Sequence, residues 1–306
     1  MRRSLTMTAI AALCAGPAFA DGVNYARLSY DFTKFDADSV ETELGLLQGG
    51  IEYQTGQFLF TGDALNITAD VDAGGVGDSD TSSSAYAIAA GYMFTPEVLA
   101  GAGVLIADEE GDAEDTEGFE LFGQYQTAEF GVGLNVAKFD ADEDNVTTSL
   151  YGEFVATPGV TLAGFVITES EFDGSDFNLS ADYEDGAIAV RAFYNDSTED
   201  DEGVFGVRGH YEFTPQLRAS ASYATNLGDD LPDGSVFAIG GGYQIVDGLW
   251  VDANYGIVDS DEVSGDIDRI QASLTYELGD RKRIDRRLEQ DAIDDLQVGA
   301  GLGFSF

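Results

Sequence analysis

The sequence predicts an all-β protein: a transmembrane, antiparallel, up-and-down β-barrel of about 16 strands, with one short helix before the last strand. Three observations predict it. Apolar residues recur with period two in segments of about ten residues, close to the 9–11 that a tilted strand needs to cross a bilayer. Short turns alternate strictly with longer acidic connections. An aromatic residue stands two to four positions before each short turn.

Composition sets the frame. The 306 residues carry 57 Asp and Glu against 14 Lys and Arg, a net charge of −43, yet 20 Phe and 14 Tyr are spread along the chain. A chain this acidic with few aromatics would be disordered; here apolar surface is being buried. Scarce Lys and Arg exclude nucleic acid as a partner, because a phosphate backbone is bound by neutralising it. Residues 1–20 read as a signal peptide: Arg2 and Arg3 precede the apolar run Leu5 to Cys14, and Ala18-Phe19-Ala20 is an A-x-A cleavage site. Cleavage removes two basic residues and the single Cys, so the domain over 21–306 carries −45 and no thiol.

The strands follow in order. Candidates lie at 23–33, 42–54, 57–71, 82–94, 97–107, 117–126, 129–139, 146–156, 159–170, 175–184, 187–195, 203–213, 216–225, 234–244, 248–258, 267–277 and 297–306. In 84–94, Tyr86, Ile88, Ala90, Tyr92 and Phe94 alternate with Ala85, Ala87, Ala89 and Gly91; Phe177, Leu179, Ala181 and Tyr183 alternate with Asp176, Asn178, Ser180 and Asp182. Each pattern is a strand with one apolar face and one small or polar face. Short turns fall at Thr55-Gly56, Thr95-Pro96, Thr127-Ala128, Thr157-Pro158, Asp185-Gly186, Thr214-Pro215 and Asp247-Gly248, while long connections such as 108–117 (DEEGDAEDTE) and 195–202 (NDSTEDDE) gather the charge at the other end. The aromatics Tyr53, Tyr92, Tyr125, Phe154, Tyr183, Tyr211, Tyr243 and Tyr276 then stand at one height, as an interfacial girdle requires. Seventeen candidates is an odd number where barrels are almost always even.

The segment 279–297, GDRKRIDRRLEQDAIDDLQ, is the one helical pattern, with Ile284, Leu288, Ala292 and Leu296 four apart. At the standard rise it spans about 27 Å, enough to cross a barrel lumen. Two placements are open: a charged excursion between the last two strands, which the sequence alone favours, or a segment that caps a mouth or enters the pore.

These features together resemble the porins of the Gram-negative outer membrane. The stretch Val298 to Phe306, ending in Phe304-Ser305-Phe306, is similar to that family's C-terminal assembly signal, carried by Phe304 and Phe306. The resemblance implies an outer-membrane location with short turns in the periplasm and acidic loops outside. It also implies contact with lipid and lipopolysaccharide, insertion by the barrel-assembly machinery, a homotrimer as the usual assembly, and passage of small hydrophilic solutes. It implies no cofactor, apart from loose divalent-cation screening by the acidic loops.

The face opposite the apolar set would line the lumen. Arg191, Arg208 and Arg218 lie there on three consecutive strands, with Arg27 and Arg269 brought near by closure; Asp63, Glu120 and Glu153 lie on the far side. In porins an arginine ladder faces acids on the third external loop, here Asp108, Glu109, Glu110, Asp112, Glu114, Asp115 and Glu117. That loop of ten residues is short for a constriction. A mouth ringed by carboxylates concentrates cations and repels anions until salt screens it, so a weakly cation-selective diffusion channel is expected. An enzyme is not: His210 has Glu212 two residues away but no distinguishable nucleophile, and Asp140, Asp142 and Asp144 lack the Gly and Glu of a calcium loop. The alternative is a structural or adhesive barrel filled by side chains. About sixteen strands are too many for that, since a barrel this wide leaves an aqueous channel.

Overall fold

Strands form around the period-two alternation, and most run a few residues past the candidate limits. The computed structural model describes residues 22–37, 40–72, 79–109, 116–140, 145–170, 174–198, 202–227, 234–260 and 267–299. Sixteen strands follow in chain order: β1 (Val23–Ala37), β2 (Val40–Thr55), β3 (Phe58–Asp72), β4 (Ser79–Thr95), β5 (Val98–Glu109), β6 (Thr116–Gln126), β7 (Phe130–Phe139), β8 (Val146–Thr157), β9 (Val160–Glu169), β10 (Ser175–Asp185), β11 (Ile188–Ser197), β12 (Glu202–Thr214), β13 (Leu217–Leu227), β14 (Gly234–Val246), β15 (Leu249–Ser260) and β16 (Ile267–Gly279). Helix α1 (Ile284–Gly299) completes the described chain.

Each strand pairs antiparallel with its sequence neighbours, and β1 pairs with β16 from Tyr25↔Gly279 to Asp36↔Asp268, so the barrel closes. Closure is required in hydrocarbon, where no water can satisfy an unpaired edge. Orientation follows the pleat. On β4, Ile88 is 67% exposed and Ala87 only 7%, so the apolar set faces outward and the small set inward. No helix among the described residues is long and apolar enough to cross a membrane.

The outward girdle is paired across strands. Tyr92 sits opposite Phe58, Phe154 opposite Phe130, Tyr211 opposite Ile188 and Tyr243 opposite Leu217. The Phe58 and Tyr92 rings meet edge to face at 5.3 Å. Cross-strand aromatic pairs of this kind contribute about 0.2–1 kcal/mol each, so the same residues stabilise the turn end and mark the interface.

The barrel closes with sixteen strands, the number expected; of the seventeenth candidate, the described residues Gln297, Val298 and Gly299 are helical. Residues 300–306 of that candidate, with Phe304 and Phe306, lie outside the described residues, as do residues 1–21. The favoured placement of 279–297 as an excursion is overturned. At Gly279 the backbone takes φ +73°, and a Cβ there would come within 2.0 Å of the Asn24 carbonyl oxygen. The chain turns at this glycine into the lumen, and α1 lies inside the barrel.

Candidate functional site: the lumen and its helix

The inner wall carries charge in two separate fields, and the segment 280–299 matches both. Asp63 (β3), Glu120 (β6) and Glu153 (β8) face inward from one side. The basic half of the segment lies on them. Arg281 pairs with Asp63, Arg283 with Glu120 at 2.8 Å, Arg286 with Glu120 at 2.6 Å, and Arg287 with Glu153. Arg27 (β1), Arg191 (β11) and Arg208 (β12) face inward from the other side, and the acidic half lies on them. Asp294 meets Arg27 at 2.9 Å, and Asp295 meets Arg191 at 2.8 Å and Arg208 at 2.9 Å.

The wall also caps the helix. The first N–H groups of a helix have no partner within it. Gln124 (β6) accepts from the backbone N–H of Ile284 at 3.0 Å and donates to the Lys282 carbonyl at 2.7 Å. Just ahead of it, the buried Glu52 carboxylate (β2) accepts from the N–H groups of Lys282 and Arg283 at 2.6 and 3.1 Å. At the far end Arg269 (β16) donates to the carbonyls of Val298, at 2.9 Å, and Gln297. Between the ends, Tyr25 and Tyr151 donate to Gln290 at 2.8 Å and Glu289 at 2.5 Å. Ile284 and Leu288 pack on Tyr151, Ala163 and Phe165.

The helix divides the lumen. A cavity of about 950 Å³ at the short-turn end is lined by Arg218, His210, Trp250, Asp252 and the helix face Arg287, Asp291 and Asp294. A second, of about 710 Å³, lies toward the long connections on the opposite helix face, Glu289, Ala292, Ile293 and Leu296. On the arginine side an apolar cluster of Phe35, Phe193, Val204, Val236 and Val258, with Val298 packed against it, sits between the first cavity and the long connections.

Each sequence-predicted site residue can now be placed. Arg27, Arg191, Arg208, Arg269, Asp63, Glu120 and Glu153 all meet the segment 280–299. Arg218 does not: it pairs with Asp252 at 2.7 Å and lies over Trp250 at 4.2 Å. Of the mouth loop, Asp108 and Glu109 end β5 and Glu117 belongs to β6; Asp108 shares the outward parity of Ile106 and Glu117 that of Phe119, so these two face away from the lumen, and Glu110, Asp112, Glu114 and Asp115 lie outside the described residues. His210 faces the lumen with its Nε2 3.9 Å from Glu212. Sequence reasoning missed Glu52, Gln124, Tyr25 and Tyr151. The signal available was their inward parity together with the charge order of 279–297, basic then acidic, which mirrors the two inward fields.

Residues 158–291 match the family model of the Gram-negative porins. Among solved structures, OpdQ of Pseudomonas aeruginosa superposes with a TM-score of 0.52 at 13% identity, covering 84% of this chain and 98% of that one. OccK5 (OpdH) of the same organism gives 0.52 at 12%, covering 86% and 99%, and its OpdK, solved with vanillate, gives 0.52 at 11%, covering 85% and 99%. No curated protein matches the sequence. The resemblance to Gram-negative porins stands on the match over 158–291, and the likeness to the solved structures is one of fold.

Proposed function

We propose that this porin-like barrel is a diffusion channel for small hydrophilic solutes and ions, weakly cation-selective, whose resting conductance is set by the lumenal helix. One observation carries the reading: a closed sixteen-stranded barrel encloses a charged, water-sized lumen that α1 divides into two cavities. Sixteen strands leave room for an aqueous pathway. The charges that would polarise it are paired with the helix while α1 is docked, and become available when it leaves.

The orientation proposed is that of porins, with short turns in the periplasm and the acidic connections outside, in contact with lipopolysaccharide and screened loosely by divalent cations. Selectivity then rests on the acidic mouth, whose reach falls from about 30 Å at 0.01 M salt to about 3 Å at 1 M. Insertion by the barrel-assembly machinery and association as a trimer are part of the same proposal. The helix also gives weight to a second reading, a closed structural or adhesive barrel, because it fills the middle of the lumen.

Planar-bilayer recording of the full chain and of a variant lacking 280–295 separates the two. The channel reading expects small or infrequent steps from the full chain, large sustained steps from the deletion variant, and a cation-directed reversal potential that shrinks in high salt. Silence from both proteins would leave the structural barrel, and anion preference at low salt would overturn the selectivity.

A further inference from the structure

The two cavities flanking α1 differ in chemistry, and the difference is unexpected in a lumen built to hold water. The cavity at the short-turn end is walled by polar inward residues such as Ser220, Asn254, Gln271 and Thr275. Its counterpart toward the long connections has polar groups on one side, among them Gln48, Asn135, Ser149 and Asn178, but its other wall is Leu65, Ala85, Ala87, Leu105 and Ala107, and its floor is the Ala292, Ile293 and Leu296 face of α1. We propose that this outer vestibule is a binding site for a small, uncharged hydrophobic molecule.

Packing of the helix does not account for the apolar wall. The face of α1 that seats against the barrel is Ile284 and Leu288, on Tyr151, Ala163 and Phe165. Ile293, Leu296, Leu65 and Leu105 stand outside that cluster, half-buried, with their apolar surface turned to the cavity. The volume of about 710 Å³ falls within the range of small-molecule sites, which are predominantly apolar with few polar groups.

Charge in the vestibule is already committed. Arg281 is taken by Asp63, Arg286 by Glu120 and Glu289, and Arg27 by Asp294. An anionic ligand would lose its hydration without gaining a free counter-charge. Anions are opposed further by Asp176 at the strand end that lines the outer part of the cavity. Along the apolar wall and floor, an uncharged apolar body is the matching ligand.

The test uses the full chain in lipid nanodiscs, with N-phenyl-1-naphthylamine as a neutral probe and 8-anilinonaphthalene-1-sulfonate as its charged counterpart. Two variants on different strands, Ala107→Trp and Ala85→Phe, fill the vestibule without touching the ion pairs; heat-modified gel mobility verifies that each barrel is folded, and either alone suffices. The expected result is saturable fluorescence enhancement above that of empty nanodiscs, weakened about tenfold or more by the variants, with the sulfonate probe at least about tenfold weaker on the wild-type chain. Equal signals from wild type and folded variants would mean partitioning into lipid and would overturn the proposal. So would equal binding of the sulfonate. No conductance enters the readout, so this result and that of the channel experiment stand apart.

Discussion

Arg283 is the side chain on which docking of the helix turns. Its guanidinium is fully buried, bridges Glu120 at 2.8 Å and Asp285 at 2.5 Å, and lies over the Phe122 ring at 3.7 Å. A buried pair gives weak net stabilisation when both partners are present, but removing one leaves an uncompensated charge. Arg283→Ala should therefore weaken docking by about 3 kcal/mol, the lower end of the range for such losses because Arg286 still reaches Glu120 at 2.6 Å. Hydrogen exchange of the amides in 284–299 measures it: protection should fall about a hundredfold while the strand amides are unchanged. Unaltered protection would show that the ion pairs are incidental. The wall makes room for this contact as well as charge for it, since a Cβ on Gly133 or Gly131 would meet Ile284 at 2.7 or 2.9 Å.

At the scale of the element, α1 is a helix that its own charges oppose. Asp285 in the first turn suits the helix macrodipole, but Arg286 and Arg287 beside it and Asp294 and Asp295 near the end are the reverse of what it favours. Sixteen residues are marginal alone even with favourable charges. A peptide covering 279–299 should show little helix by circular dichroism in buffer, and strong helicity there would remove the wall from the explanation. The pH dependence follows from the acidic half, which lies on no membrane-spanning strand. Burial pushes the Asp295 carboxyl up to about 6 although Arg208 and Arg191 both pull it down, and Glu289 and Asp291 are raised by burial too. A carboxyl raised in the docked state binds its proton more tightly there, so the contribution of Asp295 is complete below about pH 4 and is lost as pH rises through about 6, and Glu289 and Asp291 act in the same direction. Asp285 runs the other way: burial would raise it, but Arg283 and Arg286 hold it below the usual range, so its effect is confined to stronger acid. Amide protection of α1 should accordingly be higher at pH 4.5 than at 7.5, and Asp295→Asn should flatten that difference. The helix itself was legible from Ile284, Leu288, Ala292 and Leu296. Its location was not, because a period of four states that a face is buried without stating which surface buries it.

For the whole molecule, the barrel was legible because a lipid-facing strand writes its orientation into every second residue, as in Tyr86, Ile88 and Ala90. The count was less so. Val298 and the residues after it alternate apolar with glycine as a strand does, and only the pairing of β1 with β16 shows that the sheet closes without Gln297 to Gly299. The eight inward charges had the right parity, yet their meaning depended on a partner elsewhere in the chain. Read as an empty pore, Arg27, Arg191 and Arg208 facing Asp63, Glu120 and Glu153 make a transverse field; with α1 in place each pole is neutralised by a group of opposite sign. Obstruction of the pore and quenching of its field are then one event, and both should be lockable by one bond. Ile284 Cγ2 lies 2.7 Å from where a Gly133 Cβ would be, so these two positions face each other across the contact between helix and wall. A Gly133→Cys, Ile284→Cys chain, with residues 1–20 removed and therefore no other thiol, should be held in its low-conductance state under oxidising conditions in a planar bilayer. Reductant added to the same bilayer should restore the openings of the wild-type chain. Large steps from the oxidised protein would mean that solutes pass with α1 in place, through the two cavities beside it, and that the helix shapes the pathway rather than closing it.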